Sequence, residues 1–142
     1  MRKKIIKRFQ DSAGLCLILL LVAALTACGD ERLPAAAGDH AVLEQLAQAY
    51  RKVGEQYPIS PHAMSPEGRR KFVDQVFKQA GYSYSASLSA MANGSADSTD
   101  QDQRDLVDLL LLPAQGLSDK SLSKSYSTEE QAAVQQLRTT FR

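Results

Sequence analysis

Five aspartates within twelve residues form the densest group of potential metal ligands in the chain: Asp97, Asp100, Asp102, Asp105 and Asp108. A calcium-binding EF-hand loop that began at Asp100 would need glycine at its sixth position and glutamate at its twelfth. The chain has Asp105 and Leu111 at these positions, so it does not meet the calcium motif. Because carboxylates stabilise the positive end of a helix dipole, the series instead predicts the start of a helix.

The chain has two histidines, His40 and His62, which are too few to supply the three or four protein ligands of a zinc site. It also lacks the glycine-rich phosphate loop and the G-x-S-x-G sequence of serine hydrolases. We therefore expect no metal, no cofactor and no enzymatic activity. A hydrolase site assembled only in space would depend on one of these two histidines as its base.

The basic sequence GRRK, residues 68–71, offers a different chemistry, because clustered cations can bind anionic lipid or an acidic partner. However, Arg70 lies four residues before Asp74, a spacing that pairs opposite charges on the surface of a helix. This spacing favours a solvated, internally paired helix face over a binding patch.

Hydrophobic periodicity predicts the helices that would position these residues. The predicted helical ranges are 40–57, 66–80, 85–93, 99–112 and 127–141, whereas the serine-rich sequence at 117–126 is predicted as a loop. Asp39, Ser65 and Ser127 are suitable N-caps, and Gly81 is a suitable C-cap. The sequence therefore predicts an all-α fold, a small irregular helical bundle of about four to five short helices.

Residues 82–92 are ambiguous, because Tyr82, Tyr84 and Leu88 alternate with serines as in a strand but also fit a helix. No second strand is evident elsewhere, and a lone strand would leave its backbone groups unpaired. We therefore predict a helix. The alternative, a strand that adds to the sheet of a partner protein, stays open.

The predicted helix at 99–112 carries leucines around most of its circumference, which places it in the middle of a bundle or beneath a partner. Together with two tyrosines nearby in the sequence, these leucines are the candidate partner-binding residues: Leu106, Leu109, Leu110, Leu112, Tyr82 and Tyr84.

The N-terminal segment has the features of a secretory signal. Five basic residues lie within the first eight, and an apolar stretch of 14 residues runs from Leu15 to Cys28. A membrane-spanning helix needs about 20 apolar residues, so this stretch is too short to be favoured as a retained anchor.

The end of this stretch resembles the lipobox of bacterial lipoproteins, the cleavage motif formed here by Leu25, Thr26, Ala27 and Cys28. The resemblance implies cleavage before Cys28 by a type II signal peptidase, with diacylglycerol on the Cys28 sulfur and an acyl chain, such as palmitate, on its amine. Gly29 follows the cysteine, which by the same resemblance favours the outer membrane, facing the periplasm. Asp30 leaves the inner membrane as an alternative.

The sequence thus divides into a signal peptide at 1–27, a lipidated cysteine and flexible tether at 28–39, and a helical domain at 40–142. After cleavage, 12 basic and 15 acidic residues remain, a net charge of −3 that disfavours nucleic-acid binding. We expect a non-enzymatic accessory or interaction factor for an envelope protein complex of the secretion, pilus or conjugation type. The alternatives are a helical carrier of a lipid or small apolar ligand and, third, an envelope hydrolase.

Overall fold

The structure, a computed structural model, describes residues 32–35, 39–94 and 96–142. These ranges contain six α-helices and no strand, so the predicted all-α bundle is confirmed. The helices are α1 (His40–Gly54), α2 (Pro66–Ala80), α3 (Tyr84–Asn93), α4 (Gln101–Leu111), α5 (Asp119–Ser125) and α6 (Thr128–Thr140). The predicted signal peptide and the predicted lipidation site, Cys28, lie outside the described residues. Within the described part, no helix combines the length and apolar character needed to span a bilayer.

Side-chain caps begin the helices where the sequence predicted them. The Asp39 carboxylate accepts a hydrogen bond from the Ala41 N–H, and the Ser65 hydroxyl accepts one from the Gly68 N–H. Ser127 and Glu130 form a reciprocal capping box at the start of α6. These bonds satisfy backbone donors that have no partner within the helix.

The prediction of a loop at 117–126 was wrong, because residues 119–125 form α5. Serine has a weak helix propensity, which hid this helix in the sequence. Two local features outweigh that propensity: the Ser118 hydroxyl caps the helix by accepting from the Ser121 N–H, and Leu122 is completely buried.

Residues 84–93 form helix α3, as predicted, and Ser83 caps it by accepting from the Ala86 N–H. The backbone groups of this segment are therefore bonded within the helix. They are not available to pair with a partner's sheet in this conformation.

Helix α2 lies at the centre of the core and contacts α1, α3 and the turn Leu112–Ala114. Its residues Phe72, Val73, Val76 and Phe77 are completely buried. The ring of Tyr50 packs edge-on against Phe72 with 5.0 Å between ring centroids. Such contacts add to the free energy of burying large apolar side chains, which is the main stabilising term of the fold.

Residues 32–35, which we call the strap, differ from the flexible tether that the sequence predicted over 28–39. The Leu33 carbonyl accepts a hydrogen bond from the Ser83 N–H at 3.1 Å. The Ala35 N–H donates to Ser87 Oγ at 2.8 Å, and Ala35 is itself buried. The strap is therefore held on α3 by two hydrogen bonds and by the buried side chain of Ala35.

Candidate binding groove

An open groove of about 770 Å³ lies between α1 and α4, and the turns Pro61–Ala63 and Leu112–Ala114 each contribute one residue to its lining, His62 and Leu112. We call it the α1–α4 groove. Its floor is apolar and consists of Leu43, Leu46, Ala47, Tyr50, Leu109 and Leu112. Both α1 and α4 carry a stripe of apolar side chains that faces the core. The side chains at the edge of each stripe face the groove.

The rim of the groove is acidic. Asp102, Asp105 and Asp108 follow one another at intervals of three residues, so they lie along the same side of α4. Glu44 lies on the α1 side, and Arg51 is the only lysine or arginine among the described lining residues. Four carboxylates against one guanidinium give this surface a negative potential that attracts cationic groups.

The remaining aspartates of the series begin helix α4, as the sequence predicted. Asp100 Oδ1 accepts from the Asp102 N–H at 2.9 Å. Asp97 accepts from both the hydroxyl and the N–H of Thr99, and these bonds hold the pKa of Asp97 below its usual value. Asp97 and Asp100 thus fix the local backbone, and the three later aspartates line the groove.

Both histidines line the α1–α4 groove, although no spacing between them indicates a shared surface. His40 Nδ1 lies 3.4 Å from Asp102 Oδ2, and His40 Nε2 lies 3.7 Å from Glu44 Oε1. No serine, threonine or cysteine is found among the described lining residues to serve as a nucleophile. The described part of the chain also contains no group of three or more histidine, cysteine or acidic residues placed to hold a metal ion.

The four predicted partner-binding leucines fall in two environments. Leu106 and Leu110 are buried in the core and face no partner in this conformation. Leu112 is also buried but forms part of the groove floor, and Leu109 is half-buried and lines the groove. The leucine-rich helix therefore serves mainly as core, and Leu109 is its half-buried leucine in the groove lining.

The two predicted partner-binding tyrosines make contacts within the domain. Tyr84 is 4% exposed, and its hydroxyl donates to the Leu110 carbonyl at 2.8 Å. Tyr82 is half-buried, and its hydroxyl donates to Gln45 Oε1 at 2.8 Å. Neither tyrosine lines the groove.

A second polar cluster lies between α2, α3 and α6 and was missed in the sequence. The Arg70 guanidinium lies over the rings of Tyr84 and Tyr126, at 4.3 and 4.9 Å from their centroids. It donates to Glu130 Oε1 at 2.8 Å and to Asp74 Oδ2 at 3.3 Å. The Arg70–Asp74 pair was predicted from its spacing, whereas Glu130 is 60 residues away and left no local signal.

Glu130 is the centre of this cluster. Burial acts to raise the pKa of Glu130, but hydrogen bonds from the Ser85 hydroxyl, from Arg70 and from the Ser127 N–H outweigh it and hold that pKa below its usual value. The bond from Ser85 is 2.6 Å and that from the Ser127 N–H is 3.0 Å. Since every one of these partners belongs to the domain, the cluster ties α2, α3 and the start of α6 together.

No family model, no curated protein and no solved structure matches this chain. Function must therefore be inferred from the groove, its charge and the N-terminal sequence.

Proposed function

We propose that this chain is a lipoprotein anchored through Cys28 in the outer membrane, where it acts in the periplasm as a non-enzymatic accessory factor of an envelope complex. The α1–α4 groove is the observation that carries the interaction part of this proposal. It combines an apolar floor with an acidic rim on a small domain. The lipobox-like sequence ending at Cys28 supports the anchor.

The occupant of the groove is a cationic amphipathic helix of the partner protein. Such helices bind apolar grooves through side chains spaced three and four residues apart. Leu109 and Tyr50 would contact the apolar side of the helix, and Asp105 and Asp108 would pair with its lysines or arginines. The eleven residues of α4 provide a wall about 16 Å long, enough for three helical turns.

Charge complementarity gives the groove its specificity. Like charges placed opposite each other disfavour the wrong partner and opposite charges speed the encounter with the right one. Nucleic acids and anionic lipid headgroups are therefore poor occupants of this rim. A basic helical segment matches both the charge and the apolar floor.

The anchor is tested by changing Cys28 to alanine in the full chain and following the protein by mass. The proposal expects an uncleaved precursor without lipid from the variant, and an acylated mature form beginning at Cys28 from the wild type. A mature-sized product from the variant would refute the lipoprotein assignment.

The groove is tested with a photo-crosslinking amino acid at Leu109 in the full chain, in cells. Leu111 is the matched control, because it lies on the same helix and is half-buried but does not line the groove. We expect crosslinks at position 109, and not at 111, to one protein through a segment rich in basic and apolar residues. The charge reversals Asp105→Lys and Asp108→Lys should abolish this crosslink, while Glu55→Lys, outside the groove, should retain it.

A carrier of a small apolar ligand is the second candidate, because the groove volume of about 770 Å³ falls within the usual range for ligand sites. Native mass spectrometry of the purified full chain distinguishes the two. A co-purified apolar molecule that is lost in Leu109→Asp would support the carrier and overturn the helix-docking proposal.

A further inference from the structure

The strap fixes the point at which the chain leaves the domain toward Cys28. Ala35 is 2% exposed and Ser87 is 0% exposed, so the hydrogen bond between them is shielded from water. The Ser87 hydroxyl also donates to the Ser83 carbonyl at 2.6 Å, which orients its oxygen toward the Ala35 N–H. With the Ser83–Leu33 bond, the strap is joined to α3 at two points.

This attachment shortens the free length of chain between the lipid and the domain. Leu33 lies five residues after Cys28, a distance that an extended chain covers in about 17 Å. If the domain began at His40 instead, twelve residues would allow about 41 Å. Each interfacial layer of a bilayer is about 5 to 8 Å thick, so a reach of 17 Å keeps the attachment point close to the headgroups.

The residues around the attachment point suit a lipid surface. Leu33 is 74% exposed, more than any other large apolar side chain of the described residues. An exposed apolar side chain so close to a lipid anchor can enter the interfacial region of the bilayer.

We propose that the strap docks the α2–α3 junction, residues 80–84, against the membrane surface, so that the domain has a defined orientation there. The proposal rests on the lipid anchor at Cys28 proposed above. The partner of this surface is the bilayer itself. The strap is thus the element that converts a lipid tether into an oriented attachment.

The test uses the full chain, processed in cells and reconstituted into vesicles that contain anionic lipids and lipids with a nitroxide on the headgroup. A thiol-reactive fluorophore is placed at Lys78→Cys, near the junction, or at Glu67→Cys, eleven residues earlier and about 16 Å away along the same helix. Both positions are exposed. The Cys28 sulfur is occupied by lipid and does not react with the label.

We expect the nitroxide lipids to quench most of the emission at position 78 and little of it at position 67. Adding Ser87→Ala, which removes the acceptor of the Ala35 N–H, should abolish most of this difference. Ser89→Ala on the same helix is the matched control and should leave the difference intact, because the bonds of Leu33 and Ala35 go to Ser83 and Ser87.

Equal quenching at positions 78 and 67 in the acylated protein would overturn the oriented attachment and leave the lipoprotein assignment standing. Mass spectrometry of the N-terminal peptide reports on the anchor separately. A peptide without lipid on Cys28 would overturn both proposals. A difference that survives Ser87→Ala would show that the strap is not the orienting element.

Discussion

Replacing Glu130 with glutamine tests whether the Arg70–Glu130 pair stabilises the domain. The side chains of Arg70 and Glu130 are 24% and 11% exposed, so their 2.8 Å contact is largely shielded from solvent. Glutamine preserves the shape of the side chain, and its single oxygen can still accept from the Ser127 N–H in the capping box. Its amide nitrogen then takes the place of Oε1, which accepts from Arg70 and Ser85 in the wild type, and this nitrogen cannot accept from Arg70. The substitution therefore removes both the charge and the Arg70–Glu130 hydrogen bond.

The expected loss is that of one charge-assisted hydrogen bond, about 2 kcal/mol in the free energy of unfolding. It stays below the 3–5 kcal/mol typical of breaking a fully buried pair, because Arg70 keeps its contact with Asp74. For a domain of this size, about 2 kcal/mol corresponds to a decrease of about 8 °C in Tm. Glu129→Gln, one residue earlier and exposed, should change the free energy by less than about 0.5 kcal/mol.

The contribution of the Glu130 charge to the free energy of unfolding should depend on pH. Because the folded-state pKa of Glu130 lies below its unfolded value, its ionisation stabilises the fold above the unfolded pKa of about 4.3. This contribution disappears as the pH falls through the folded-state pKa. The pKa of Asp74, which burial raises despite Arg70, acts in the opposite sense, but Asp74 is present in both proteins. The difference between wild type and Glu130→Gln should therefore be constant above about pH 5 and shrink below about pH 4.

Urea denaturation monitored by circular dichroism, repeated from pH 3 to pH 7, measures this difference. A loss no larger than that of Glu129→Gln would refute the stabilising role of the pair. A loss that is undiminished at pH 3 would show that the charge of Glu130 is not its cause.

The same assay checks four further substitutions, in two pairs. Tyr84→Phe removes a buried hydrogen bond to the Leu110 carbonyl and should lower the free energy of unfolding by about 1 kcal/mol. Tyr126→Phe should leave it unchanged or raise it, because the buried Tyr126 hydroxyl has no hydrogen-bond partner. Gly81→Ala should destabilise the domain by about 1 kcal/mol, because Gly81 has a φ of 87° that alanine adopts poorly. Gly54→Ala should stabilise it by up to about 1 kcal/mol, because Gly54 is the last residue of α1 and an added Cβ would have no atom within 4 Å. The opposite order within either pair would contradict the hydrogen bonding or the backbone geometry described.

Helix positions were predictable where the signal is local. The Ser127–Glu130 capping box and the Ser65–Pro66 helix start depend only on residues within one turn, so the sequence shows them directly. Helix α1 ends at Gly54, three residues before the predicted end at Tyr57. The prediction relies on Pro58 as the residue that stops the helix. Glycine late in a helical pattern was the better signal.

Features that depend on residues distant in the chain were not predictable. In the α1–α4 groove, His40 lies 3.4 Å from Asp102 and His62 belongs to the same lining, and no spacing rule connects these three positions. The attachment of the strap likewise depends on a hydrogen bond between Ala35 and Ser87, 52 residues apart. Helix α5 was missed for a different reason, since its burial of Leu122 outweighs a poor local propensity.

The packing of α6 has a consequence for how the described residues come together. Ala133, Val134 and Leu137 complete the core against α3, and Glu130 supplies the carboxylate for Arg70. Until α6 packs on α3, these apolar side chains stay in water and the Arg70 guanidinium lacks its shortest ion pair. One docking step therefore both buries apolar surface and pairs a charge, which couples the formation of the core to that of the polar cluster.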